Sequence, residues 1–136
     1  MESSWFEKAM SFMKLGRHKV ALHCCERALE LNPRDWEILI LKGGIMEKEG
    51  DYQEALRCYE RATEANPRSA HAWYNKGAAY GNFGQYRKAL GCFQEAERQG
   101  HPGAAAAIKD CQEALSREEF NPRMHAVPTK PKQKSK

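Results

Sequence analysis

Apolar residues recur three and four positions apart between residues 3 and 99, and glycines or Asn-Pro pairs interrupt the rhythm at regular intervals. That spacing places apolar side chains along one stripe of an α-helix, whereas a strand needs strict alternation. Gly16, Gly50 and Gly84 each close a periodic run. Glycine ends helices because it takes a positive φ without a Cβ clash. Asn32-Pro33 and Asn66-Pro67 close the run that follows, since proline disfavours α geometry in the residue before it. The pattern predicts helices over 3–15, 18–31, 36–49, 52–65, 70–83 and 86–99, joined in pairs at the glycines.

The pairs are copies of one another. A step of 34 residues matches Trp5 with Leu39 and Trp73, Ala21 with Ala55 and Ala89, Cys25 with Tyr59 and Phe93, and Ala28 with Ala62 and Ala96. Asn32-Pro33-Arg34 recurs as Asn66-Pro67-Arg68, and the third copy ends one residue late, at Pro102. A repeat of this length marks an array of supersecondary units that bury their apolar faces on one another. The alanines allow two helices to approach to about 8 Å, and the large apolar and aromatic positions fill the space beside them.

Trp73-Tyr74-Asn75-Lys76-Gly77-Ala78-Ala79-Tyr80, followed by Ala89 and Phe93, resembles the tetratricopeptide repeat pattern, W-x2-L-G-x2-Y, then A-x3-F, then P. The resemblance implies an all-α fold, an α-solenoid or right-handed superhelix of three helical hairpins, with repeats at about 2–35, 36–69 and 70–102. Residues 103–119 carry an apolar stripe of Ile108, Cys111 and Leu115 and are expected to cap the stack, like the seventh helix of three-repeat members. The chain departs from the pattern at Lys8, Lys42 and Lys76, where leucine is usual, and at Ala9, where the first-helix glycine is usual. A lysine there implies an aliphatic stem laid over apolar surface.

Charge divides the chain again. The net charge of +4 conceals a tail, residues 120–136, with Arg123, Lys130, Lys132, Lys134, Lys136 and no acid, so residues 1–119 are left at −1. The tail holds too little apolar surface to fold and is expected to be a basic disordered extension, solubilising first and weakly attractive to nucleic acid or acidic partners second. No aromatic residue from 121 on is placed to stack on bases. The absence of a signal-peptide pattern at the start and of any apolar run near the roughly 18 residues of a membrane span predicts a cytoplasmic protein.

Leu22-His23-Cys24-Cys25 raises the question of metal or redox chemistry, which the repeat register answers. Cys24, Cys58 and Cys92 share one register position, so neighbours stand about 10 Å or more apart, beyond the roughly 7 Å between Cα atoms that a disulfide spans. Paired C-x-x-C and H-x-x-x-H spacings are absent, so no metal or other cofactor is expected, and packing as small apolar side chains is the favoured role. No G-x-S-x-G, P-loop, H-E-x-x-H or dinucleotide fingerprint is present, which points away from an enzyme.

Function then falls to a surface. The family resemblance implies a concave groove lined by the first helix of each hairpin, at Phe6, Met10 and Met13; Ile40, Leu41, Gly44 and Glu47; and His71, Tyr74, Asn75, Ala78 and Asn82. Mostly apolar and aromatic, this set suits a peptide or amphipathic helix of a partner protein. Family members that clamp the acidic C-termini of heat-shock chaperones use lysine, arginine and asparagine where this chain has Phe6, Met10, Leu41, His71 and Asn75. With no cation there to offset a buried carboxylate, a clamp is not expected. The expected function is a non-enzymatic adaptor or scaffold, the alternatives being a self-associating structural oligomer and a module directed to nucleic acid by its tail.

Overall fold

The computed structural model describes residues 4–120. Among the described residues seven helices follow one another: α1 (Trp5–Lys14), α2 (His18–Leu31), α3 (Trp36–Lys48), α4 (Tyr52–Ala65), α5 (Ala70–Asn82), α6 (Tyr86–Arg98) and α7 (Ala104–Phe120). Each lies within two residues of its expected bounds, and no strand occurs among the described residues. The tail from residue 121 on lies outside them. Two compact units divide the chain at the second Asn-Pro pair, Met1–Asn66 and Pro67–Lys136.

Local chemistry fixes the helix ends. Ser4 and Glu7 form a reciprocal capping box at the start of α1, and Asp35, Asp51 and Ser69 accept a backbone N–H at the starts of α3, α4 and α5. At the end of α1, Gly16 at φ 78° sends its N–H to the Met13 carbonyl while the Arg17 N–H reaches the Phe12 carbonyl. These two bonds satisfy carbonyls that the helix leaves unpaired, and only a left-handed residue can place both donors. The same pair of bonds recurs at Gly50, Gly84 and Gly100. Asn32 and Asn66 close α2 and α4 in extended or near-extended backbone, as a following proline requires.

In the first unit, α1 and α2 form one hairpin and α3 and α4 the next. Ala9, Ala21, Cys25 and Ala28 pack with Ile38, Leu41 and Ile45 into a core flanked by the half-buried Trp5, Phe6, Met10 and Met13. Arg34 donates to the Glu64 carbonyl at 3.3 Å and Arg61 to the Pro33 carbonyl at 3.4 Å, tying the interhelical turn to the end of α4. In the second unit α5 and α6 pair and α7 packs on α6, where Ala89, Phe93 and Cys111 form a core beneath Tyr74, Ala78 and Ile108.

Each hairpin closes on a matched pair of residues. A Cβ on Gly43 would meet the Tyr59 ring at 2.5 Å, and one on Gly77 the Phe93 ring at 2.8 Å, so the first helix must be bare where the second presents an aromatic ring. At the equivalent register the first hairpin has Ala9 and Cys25, both fully buried. The departure at Ala9 is thus balanced by a smaller partner sixteen residues later.

Candidate partner-binding faces

On α3 the positions Ile38, Leu39, Leu41, Ile45 and Met46 are buried, which leaves Glu37, Ile40, Gly44 and Glu47 along the outer stripe. Leu41, one of the expected groove residues, lies in the core at 8% exposure, beneath this stripe. Beside this stripe stand Phe6, Met10 and Met13 of α1, half-buried and packed on the same core. The Met13 Cε lies 4.0 Å from where a Gly44 Cβ would be, so α1 and α3 contribute to one continuous apolar face.

Glu47 is the polar feature of that face. Burial raises its pKa above the usual carboxylate value, opposed by a hydrogen bond from the Tyr59 hydroxyl and by the charge of Lys48. Tyr59 is itself buried, its phenol pKa raised first by burial and then by the Glu47 charge. The ring that occupies the space left by Gly43 therefore also fixes the carboxyl one turn further along α3.

On the second unit His71 is exposed, while Tyr74, Asn75, Ala78 and Asn82 are half-buried on α5. Asn75 Nδ2 approaches His71 Nε2 at 3.5 Å, a weak bond at best. The sequence pattern does not reveal His101, which follows the fourth helix-ending glycine and stacks on Tyr74 with centroids 4.1 Å apart and planes 2° from parallel. The Gly103 N–H donates to His101 Nδ1 at 2.9 Å, leaving Nδ1 an acceptor. Burial, then the nearby His71, lowers the His101 pKa. Tyr74 is thereby held between His101 and the Phe93 ring, 5.2 Å away and tilted by 54°.

The three departing lysines follow their neighbours. Lys8 Nζ stands 4.8 Å from the Trp5 ring centroid and Lys76 Nζ 5.0 Å from that of Trp73, both within cation–π range. Leu39 offers no ring, and Lys42 instead approaches the Glu54 carboxylate at 3.8 Å.

All five cysteines are buried. Burial pushes the Cys25 thiol up to about 12 and the Cys58 thiol to about 11, which leaves both protonated and weakly nucleophilic at neutral pH. Among the described residues no group of three or more His, Cys, Asp or Glu could hold a metal ion. An open depression of about 330 Å³ beside the α1–α2 turn includes His18 and Glu49, which are already paired at 2.8 Å.

Helical hairpins in 34-residue register, closed by small-to-large pairs, define an all-α repeat protein. Models described as tetratricopeptide repeat match residues 3–35, 24–57 and 70–98, and one described as TPR repeat matches 43–82. The chain belongs to the tetratricopeptide repeat family. The first TPR of Spaghetti (RPAP3), bound to the HSP90 peptide SRMEEVD, is similar in fold, with a TM-score of 0.77 and 16% identity over 82% of this chain and 90% of that one. The first TPR domain of human RPAP3, solved by NMR, gives a TM-score of 0.78 at 16% identity, over 86% and 94%. YrrB, described as a TPR protein with an unusual peptide-binding site, is 33% identical with a TM-score of 0.69 over 80% of this chain, which spans 58% of it. No curated protein sequence matches the chain. Among the described residues no helix is long and apolar enough to cross a membrane.

Proposed function

We propose that the protein is a non-enzymatic cytoplasmic adaptor that holds a peptide or helix of a partner protein against the apolar faces of its first helices, without a carboxylate clamp. The observation that carries this reading is the α1–α3 face, where Phe6, Met10, Met13 and Ile40 remain half-buried around Gly44. Apolar side chains left at a surface gain by covering, and methionines adapt to the shape of what covers them. Similarity to TPR structures whose descriptions name a bound peptide or a peptide-binding site supports an interaction module. The α5 residues His71, Tyr74, Asn75, Ala78 and Asn82 are proposed as a further contact face.

Affinity capture from native lysate tests the reading, with the whole chain and the Phe6→Ala/Tyr74→Ala variant as baits and thermal melts to confirm that both fold. Specific partners lost with the variant are the expected result. Identical captures by both baits, or capture of nothing beyond further copies of the chain, would overturn it.

A further inference from the structure

We propose that the α1–α3 face is selective for an apolar partner segment that carries a lysine or arginine, with Glu47 as the residue that recognises the cation. This rests on the groove reading above and adds its charge preference. The outer stripe of α3 reads acid, apolar, small, acid at Glu37, Ile40, Gly44 and Glu47, a spacing of three, four and three that keeps all four on one face. The apolar part extends onto α1 through Met13, whose Cε reaches the edge of the Gly44 gap.

Glu47 differs from an ordinary surface acid in being positioned. The buried Tyr59, seated where Gly43 has no side chain, donates its hydroxyl to the carboxyl and limits its rotamers. The cations nearby are otherwise directed: Lys42 pairs with Glu54, and Lys48, the next residue along, projects about 100° round the helix. A carboxylate fixed beside apolar side chains and partly withdrawn from water gains more from an incoming ammonium or guanidinium than an exposed acid does. Glu37, exposed on the first turn of α3, adds a weaker attraction of the same sign. An acidic segment would meet two like charges and no cation at the clamp positions.

Peptide display tests the charge preference. A library of random twelve-residue peptides is selected on the full chain, on Glu47→Gln, which preserves the acceptor for Tyr59, and on Glu113→Gln as a control on α7. The wild type and the control should enrich apolar peptides rich in lysine or arginine, Glu47→Gln should show no basic excess, and individual basic peptides should bind that variant roughly tenfold more weakly by calorimetry. Enrichment of neutral or acidic peptides, or a basic preference that survives Glu47→Gln, overturns the proposal and leaves the groove reading standing. Displacement of the selected peptides by a synthetic peptide of residues 121–136 overturns it in favour of the chain's own tail as occupant. Failure to select any peptide, or binding unaffected by Phe6→Ala/Met10→Ala in a folded variant, removes the groove reading and the proposal together.

Discussion

Burial raises the Glu47 pKa above its reference of 4.5, so the native state binds a proton at this site more tightly than the unfolded chain does. The unfolded state then carries fewer protons between the two values, and stability falls as pH rises through that window. Above that window the ionised carboxylate leaves a constant penalty. We expect Glu47→Gln to melt above the wild type at pH 7, with the gap closing as pH approaches 4. Calorimetry in matched buffers checks this, and equal melting at pH 7 would show that Tyr59 and Lys48 fully offset the burial. The register places Glu47 among the groove positions, but its bond to Tyr59 crosses a helical turn and leaves no periodic trace. His101 escapes for a related reason: the third copy runs one residue long, so the 34-residue step does not align it with any counterpart.

Paired substitutions matter more than single positions at the scale of the hairpin. Gly77→Ala would gain up to about 1 kcal/mol of helix propensity but drive a methyl against the buried Phe93 ring, a clash costing about 1–3 kcal/mol. Combined with Phe93→Cys, the alanine reproduces the Ala9–Cys25 arrangement of the first hairpin. The expected double-mutant cycle has Gly77→Ala destabilising beside phenylalanine and stabilising beside cysteine, with a coupling of about 1–3 kcal/mol by urea unfolding. Additive effects would mean that the ring moves aside freely. Helix starts offer a second comparison, because Asp51 and Gln85 share a register and nearly the same backbone, φ −93°, ψ 80° against φ −90°, ψ 73°. Asp51 caps α4 and Gln85 leaves α6 without a side-chain cap. Gln85→Asp should therefore raise stability by about 1 kcal/mol, read as a higher urea midpoint at unchanged slope. Helix order and bounds were legible because a glycine marks the turn inside each hairpin and Asn-Pro marks the exit of the first two copies. The ring seats of Lys8 and Lys76 were legible only as aliphatic stems laid over apolar surface, since a position's environment depends on a neighbour three residues back.

Charge and fold lead to different binding expectations for the whole chain. Its fold resembles that of a domain bound to an acidic HSP90 peptide, yet at 16% identity that likeness extends to architecture and not to binding chemistry. By the register that the family resemblance implies, Phe6, Met10 and Leu41 match three of the clamp positions, and none of the three carries a charge. The chain nevertheless carries +5 in residues 120–136 against −1 in the rest, so an acidic peptide will find attraction at the tail. In a fluorescence titration with SRMEEVD, we expect weak association at low ionic strength that disappears near 0.15 M salt, where charges about 8 Å apart are screened. The same association should be absent from a chain ending at Glu119 and unchanged by Phe6→Ala. Binding that tolerates salt, survives the truncation and is lost with Phe6→Ala would place the peptide on the α1 face. The α3 acids would then have to be outweighed by contacts to apolar residues of the peptide, and the basic preference argued from Glu47 would be wrong. The tail therefore has to be removed before any acidic ligand is tested, because its charge can imitate carboxylate binding by the helices.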